Sequence, residues 1–276
     1  MKTKETTRSA LITAIYLLLA FLSAFELFLI QPLMAKHILP WFGGAASVWT
    51  ACLLFFQSLL FIGYLYAYFV SLLKLRSQIV IHVALLCLSF GMLVWQQIAW
   101  GNPALMPGDL ALGGMLERGP LLAVVTLLAL AVGLPYITLA STSPLVQTWF
   151  YGEHRNRKPL YFFYAVSNIG SLLALLAYPF VLEPLLRLRH QALAWGAGYA
   201  AFTLVCIICS LHALKTSEGV NHTLAENTRN KRQRTSMPPA RLGLLWLGLS
   251  ACASLMLIAM TNQICANVAP VPLLWL

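Results

Sequence analysis

An all-helical, polytopic membrane bundle of about seven spans is the fold class this sequence predicts, and three observations predict it. Hydrophobic residues fill 60% of the 276 positions and charged residues only 9%, against roughly 25% charged in a soluble domain. Apolar runs long enough to cross a bilayer, which takes about 20 residues, follow one another with short polar connections. The basic residues are segregated, with 14 of the 18 Lys and Arg in every second connection and 4 in the others. Cytoplasmic connections carry that excess, so a multi-pass protein of the cell inner membrane with a cytoplasmic amino terminus is expected. The net charge of +10 is then explained by topology and contact with anionic lipid, and nucleic acid is not an expected partner.

Helix 1 is predicted over about 10–35. Lys2, Lys4 and Arg8 precede it as they precede a signal peptide, but the apolar run is too long for a signal core and is taken as a retained span. A break is expected at Gln31-Pro32, and a tight corner at Pro40-Trp41-Phe42-Gly43-Gly44 leads into helix 2, over about 46–73. Helix 3 is predicted over 78–100, and a loop with Asp109, Glu117 and Arg118 separates it from helix 4 over 120–150. Helices 5, 6 and 7 are predicted over about 160–186, 190–214 and 242–261. Domain organisation follows: a six-span bundle over 1–214, a basic cytoplasmic linker over 215–241, then the seventh span and the start of a further apolar segment over 242–276. The linker holds Arg229, Lys231, Arg232 and Arg234 without apolar periodicity, which suits an irregular segment or contact with anionic lipid. The triplet Asn221-His222-Thr223 is a glycosylation acceptor that its cytoplasmic side would leave unused.

Several residues carry chemistry out of keeping with lipid. Glu26 is the one acidic residue deep within a predicted span, where a charge costs a few kcal/mol or more. It is either a carboxyl neutralised by its surroundings or hydrogen-bonded to a neighbouring helix, or a cation or proton site. Gln31 lies on a different face of the same helix, and Gln57 on helix 2 is a candidate partner of Glu26. In helix 4, Pro135 and Pro144 bracket Thr138, Ser141 and Thr142, which share a face. Each proline frees a carbonyl that hydroxyls, neighbouring helices or cavity water must satisfy, so this face predicts a cavity or hydroxyl contacts between helices. In helix 5, Asn168 sits with Ser167, Gly170 and Ser171 in a small polar patch suited to close packing or ligand contact, and Glu183 is expected to pair with Arg187 or Arg189. Of six cysteines, Cys206 and Cys209 form a C-x-x-C within a span, where small-residue packing outweighs a redox or metal role. No P-loop, H-E-x-x-H or dinucleotide fingerprint is present, so neither a cofactor, a metal site nor a catalytic residue is predicted.

The run from Glu26-Leu27-Phe28 through Gln31-Pro32-Leu33-Met34-Ala35-Lys36 and Leu39-Pro40-Trp41-Phe42-Gly43-Gly44 to Val48-Trp49-Thr50-Ala51 resembles the opening of the bacterial spermidine-synthase-like, or fused transporter/spermidine synthase, membrane proteins. The likeness continues in LASTSPLVQTWF, YFFYAVSNIGSLLALLAYPFVLEPLL and TNQICANVAPVPLLWL. The resemblance implies a membrane module that anchors or serves polyamine-synthase-like chemistry, with a polyamine or other small cation as ligand and a cytoplasmic synthase-like domain or protein as partner. Aminopropyl transfer would need that cytoplasmic domain, which does not follow within the sequence, so catalysis by this chain is not expected. The alternatives are a transporter or permease in its own right and a truncated, nonfunctional fragment.

Overall fold

The computed structural model describes residues 2–43, 46–105, 119–153, 158–224 and 240–267. It contains seven helices long and apolar enough to cross a membrane, and among the described residues there is no strand. The chain is a multi-pass helical membrane protein. With no water in hydrocarbon to bond exposed backbone, helices that satisfy their own N–H and C=O groups are the form such runs must take.

The first helix, α1, spans Lys2–Phe42 and runs unbroken through Pro32 and Pro40. The expected break at Gln31-Pro32 is therefore absent, because proline inside a span removes one hydrogen bond without ending a helix whose neighbours hold it straight. Helix α2 spans Ala46–Ser71 and α3 spans Leu75–Trp100. The corner between α1 and α2 is shorter than expected at its start, since Pro40, Trp41 and Phe42 are helical and Gly43 leaves the helix at φ +69°. Helix α4 is α-helical over Pro120–Leu128, loosens into a π turn over Ala129–Gly133 and resumes over Leu134–Glu153. Helix α5 repeats that plan, with Lys158–Ala177, a π turn over Tyr178–Leu182 and a last turn at Glu183–Leu185. The first π turn ends two residues before Pro135 and the second contains Pro179, and a proline's missing N–H leaves a carbonyl unpaired that such a shift of register accommodates.

Helix α6 spans Leu188–Leu224, so ten residues of the segment expected to be irregular continue the helix; the basic cluster 229–234 lies outside the described residues, as does most of the loop before α4. Helix α7 spans Ala240–Asn267 and touches the bundle through α2 alone among the closely packed pairs.

The core forms around α1 and α4. Helix α1 packs against α5, α6 and α4, while α4 also meets α2 and α3. Contacts fix the senses: Tyr16 and Glu26 of α1 meet Cys209 and Gly198 of α6 in antiparallel order, whereas Phe21 and Lys36 meet Gly170 and Glu183 of α5 in parallel order. A Cβ at Gly170 would stand 2.8 Å from the Phe21 carbonyl oxygen, so glycine here sets how closely α1 and α5 approach. Gly63 does the same between α2 and α4, where a Cβ would meet that of Ala140 at 2.7 Å.

Candidate functional site

The polar residues singled out in the sequence do not gather into one cluster; the helices distribute them over three places. The first is the α1–α6 interface. Glu26 lies at the centre of the apolar stretch Ala10–Phe42 and is 3% exposed. Its backbone carbonyl accepts a hydrogen bond from Trp195 Nε1 at 3.1 Å, and its carboxylate lies hard against Gly198, occupying the space a Cβ would need. Oε2 has no hydrogen-bond partner. Gln57 is half-buried and makes no bond to Glu26, so the candidate pairing across α1 and α2 is replaced by contact with α6. Trp195 and Tyr199 lie one turn apart on that face with ring centroids 5.6 Å apart.

The second place is the buried seam between α3, α4 and α6, and it absorbs the α4 hydroxyls. Thr138 Oγ1 donates to the Pro135 carbonyl at 2.7 Å. Its single proton is thereby committed, so Tyr199, 2.7 Å away, must be the donor to Thr138, and Ser89 in turn donates to Tyr199 at 2.7 Å. Thr142 likewise commits its proton to the Thr138 carbonyl at 2.6 Å. His82 Nε2, at 3.1 Å, must then carry the proton it shares with Thr142, leaving Nδ1 to face the Tyr66 hydroxyl at 3.5 Å. Ser141 folds back on Ile137 and Thr138 within its own helix. Both chains end on carbonyl oxygens, which accept a proton but cannot pass one on. They staple α4 to α3 and α6 and do not form a relay.

Beside the π turn, Gln96 completes this seam. The carbonyl that Pro135 leaves without its i+4 donor is Ala131, and Gln96 Nε2 reaches it at 3.1 Å together with Leu130 O at 3.0 Å, while Gln96 Oε1 accepts from the Ala104 backbone N–H at 2.9 Å. Gln191 treats the end of α5 in the same way, donating to Leu182 and Leu186 carbonyls at 3.2 and 2.8 Å. Gln31 crosses from α1 to donate to the Tyr136 hydroxyl at 3.2 Å.

Gln78, His82, Ser89 and Gln96 are not among the residues expected at a site, yet the sequence carries a signal for them. They recur along α3 at intervals of four, seven and seven residues, one face of a helix, and all four are buried. A polar stripe on a helix otherwise apolar all round marks the face turned away from lipid.

The third place is a cleft of about 230 Å³ between α1, α2, α4 and α5, and it takes Asn168. Gly170 serves close packing, but Asn168 faces outward and is exposed. At the far end of α5, Glu183 pairs with Lys36 at 3.0 Å instead of Arg187 or Arg189, because the parallel packing of α1 and α5 brings Lys36 alongside it. Cys206 and Cys209 are buried free thiols, and among the described residues no group of three His, Cys, Asp or Glu could hold a metal.

The seam makes a direct prediction. Tyr199→Phe should cost about 1–2 kcal/mol, because it leaves the buried Ser89 hydroxyl without its acceptor, whereas Tyr66→Phe should cost under about 0.5 kcal/mol, its bond to His82 being long and half-exposed. Thermal unfolding in detergent measures both, and equal losses would show that the Ser89–Tyr199–Thr138 chain holds the seam no more strongly than the Tyr66–His82 contact. No protein-family model, curated protein sequence or solved structure matches the chain.

Proposed function

We propose that the protein is an inner-membrane module, amino terminus in the cytoplasm, that binds a small organic cation at Glu26 and serves polyamine-synthase-like chemistry carried out by a cytoplasmic partner or domain. One observation carries the cation site: a carboxylate 3% exposed at the centre of a span, with Oε2 unpartnered. A charge in that setting needs a compensating proton or cation. Trp195 and Tyr199 on the facing helix add aromatic surface of the kind that favours ammonium groups. Because the carboxylate abuts the Gly198 backbone, an organic cation reaches it only as α6 moves off α1. The polyamine class and the synthase partner rest on the resemblance of the α1–α2 segment and the later stretches quoted above.

Binding of radiolabelled spermidine to purified protein in lipid nanodiscs tests the site. Glu26→Gln keeps the side chain's size and should weaken binding at least tenfold. Unchanged affinity removes Glu26 from the account, and a wild-type protein that binds no polyamine ends the polyamine reading. A permease acting alone is the second reading. It is favoured by the π turn beside Pro135 in α4, since interrupted helices recur where transporters hold their solutes. Uptake of spermidine into proteoliposomes holding this chain alone would select it.

A further inference from the structure

The cleft that takes Asn168 has a buried floor and exposed rims. The floor is made by Ser23 and Leu27 of α1 with Leu139 and Ala140 of α4, and the rims are Tyr64 of α2 and Asn168 of α5. The mouth therefore opens sideways between α2 and α5, onto the lipid. Asn168 lies five residues, about 7–8 Å, from the centre of the apolar stretch Tyr161–Leu185, and Ser23 three residues from the centre of the apolar stretch Ala10–Phe42. In a hydrocarbon layer about 30 Å thick these residues stand near mid-depth.

Some of the polar groups here are already occupied. Ser23 donates to the Ala20 carbonyl at 3.0 Å, Ser171 to the Ser167 carbonyl at 3.1 Å, and Ser143 accepts from Gln147 at 3.5 Å. The Tyr64 hydroxyl, the Ser167 hydroxyl and the Asn168 amide make no hydrogen bond among the described residues. An amide facing hydrocarbon without a partner costs several kcal/mol, and the cleft is far larger than the roughly 10–15 Å³ that lodges one water. No Asp, Glu, Lys, Arg or His lines it.

We propose that this lateral cleft binds the uncharged, hydrogen-bonding head of an amphiphile drawn from the bilayer, with Asn168 and Tyr64 as the recognition groups. Each feature selects for part of that description. The sideways mouth admits molecules dissolved in lipid. The unpaired amide and hydroxyls ask for a hydroxyl, ester or amide head. The absence of charge from the walls, at a depth where an ion is costly, rejects phosphates, carboxylates and ammonium groups. The site is separate from Glu26, which faces α6 and does not line the cleft.

The test uses the full chain in nanodiscs and three photoactivatable probes of one chain length: a diazirine-bearing hexadecanol, the matching fatty acid and the matching trimethylammonium amphiphile. The alcohol should label peptides holding Tyr64 and Ser167–Ser171 at least fivefold more than either charged probe. Asn168→Leu should reduce that labelling at least threefold while leaving spermidine affinity unchanged, which separates this site from Glu26. Tyr64→Phe, from the opposite rim, should reduce it in the same direction and serves if the first variant does not fold. Labelling spread evenly over the exposed faces of α5 and α7, equal labelling by a charged probe, or modification of an Asn168→Cys variant by a membrane-impermeant thiol reagent would each overturn the proposal, the last by showing a water-filled vestibule.

Discussion

Gln96→Leu should destabilise the protein by about 3 kcal/mol, the largest loss expected from a single polar-to-apolar change in the bundle. The substitution keeps the bulk and gains apolar surface, so in most of a membrane helix it would be harmless. Here it strands three backbone groups at once: the buried Ala131 carbonyl and Ala104 N–H, and the half-buried Leu130 carbonyl beside the π turn. Each such bond between membrane helices is worth about 0.6–1.7 kcal/mol, and an unsatisfied buried group costs roughly 1–3 kcal/mol. Ala104 adds strain of its own, since it is fully buried at φ +62° without being glycine and depends on that bond to hold it. The next residue supplies the control. Gln97 Nε2 reaches the Gly101 carbonyl only at 3.4 Å and in an exposed position, so Gln97→Leu should cost under about 0.5 kcal/mol. The buried free thiols Cys52, Cys206 and Cys209 report unfolding through a thiol-reactive dye, in a Cys87→Ala, Cys252→Ala, Cys265→Ala background. Equal losses at 96 and 97 would mean that Gln96 does not staple the π turn.

The second large effect reverses sign with its background. Gly198→Ala places a methyl group where the Glu26 carboxylate lies, and in the native chain it should cost about 2 kcal/mol, within the usual range for an overpacked interior. The carboxylate cannot retreat freely, because it is 3% exposed and a swing of the side chain must displace packed neighbours. In a Glu26→Ala background the obstacle is gone and only helix preference is left, so the same change should stabilise by about 0.5–1 kcal/mol. A double-mutant cycle between positions 26 and 198 should therefore return a coupling of roughly 2–3 kcal/mol. Gly196→Ala is the comparison: its methyl would meet the Pro103 ring at 2.8 Å, so it should be unfavourable whichever residue stands at 26. Zero coupling between 26 and 198 would detach Glu26 from α6 and with it the proposed cation site.

Glu26 illustrates how far the sequence reaches into the site. One carboxylate in the middle of an apolar run is conspicuous in any span, and its burial follows from the cost of leaving it in lipid. Its neighbour does not follow. Gln57 offered the better hydrogen-bond chemistry, yet the residue against the carboxylate is a glycine, chosen because it lets α6 come close. The α4 hydroxyls show the complementary case: Thr138 and Thr142 were legible as a polar face beside two prolines, but their partners, Tyr199 and His82, lie on helices 61 and 60 residues away in the chain. For Asn168 the small-residue patch around it suggested packing or ligand contact, and Gly170 does pack, while the amide two residues away, about 200° around the helix, lines the cleft.

By itself the sequence determined that the chain crosses a membrane as seven helices, because length and apolarity are properties of each segment alone and lipid leaves the backbone no other open form. It did not determine which prolines disturb a helix: the register shifts near Pro135 in α4 and at Pro179 in α5, whereas α1 runs unbroken through Pro32 and Pro40. Only the tertiary structure decided which face of each helix turns inward and which polar groups meet. In a soluble bundle an apolar stripe announces the inner face, but here both faces are largely apolar, so apolar periodicity carries almost no orientation and only a polar stripe such as that of α3 marks an inner face. The choice falls to small residues at close crossings and to the few hydrogen bonds between helices, and those exist only once all the helices are together.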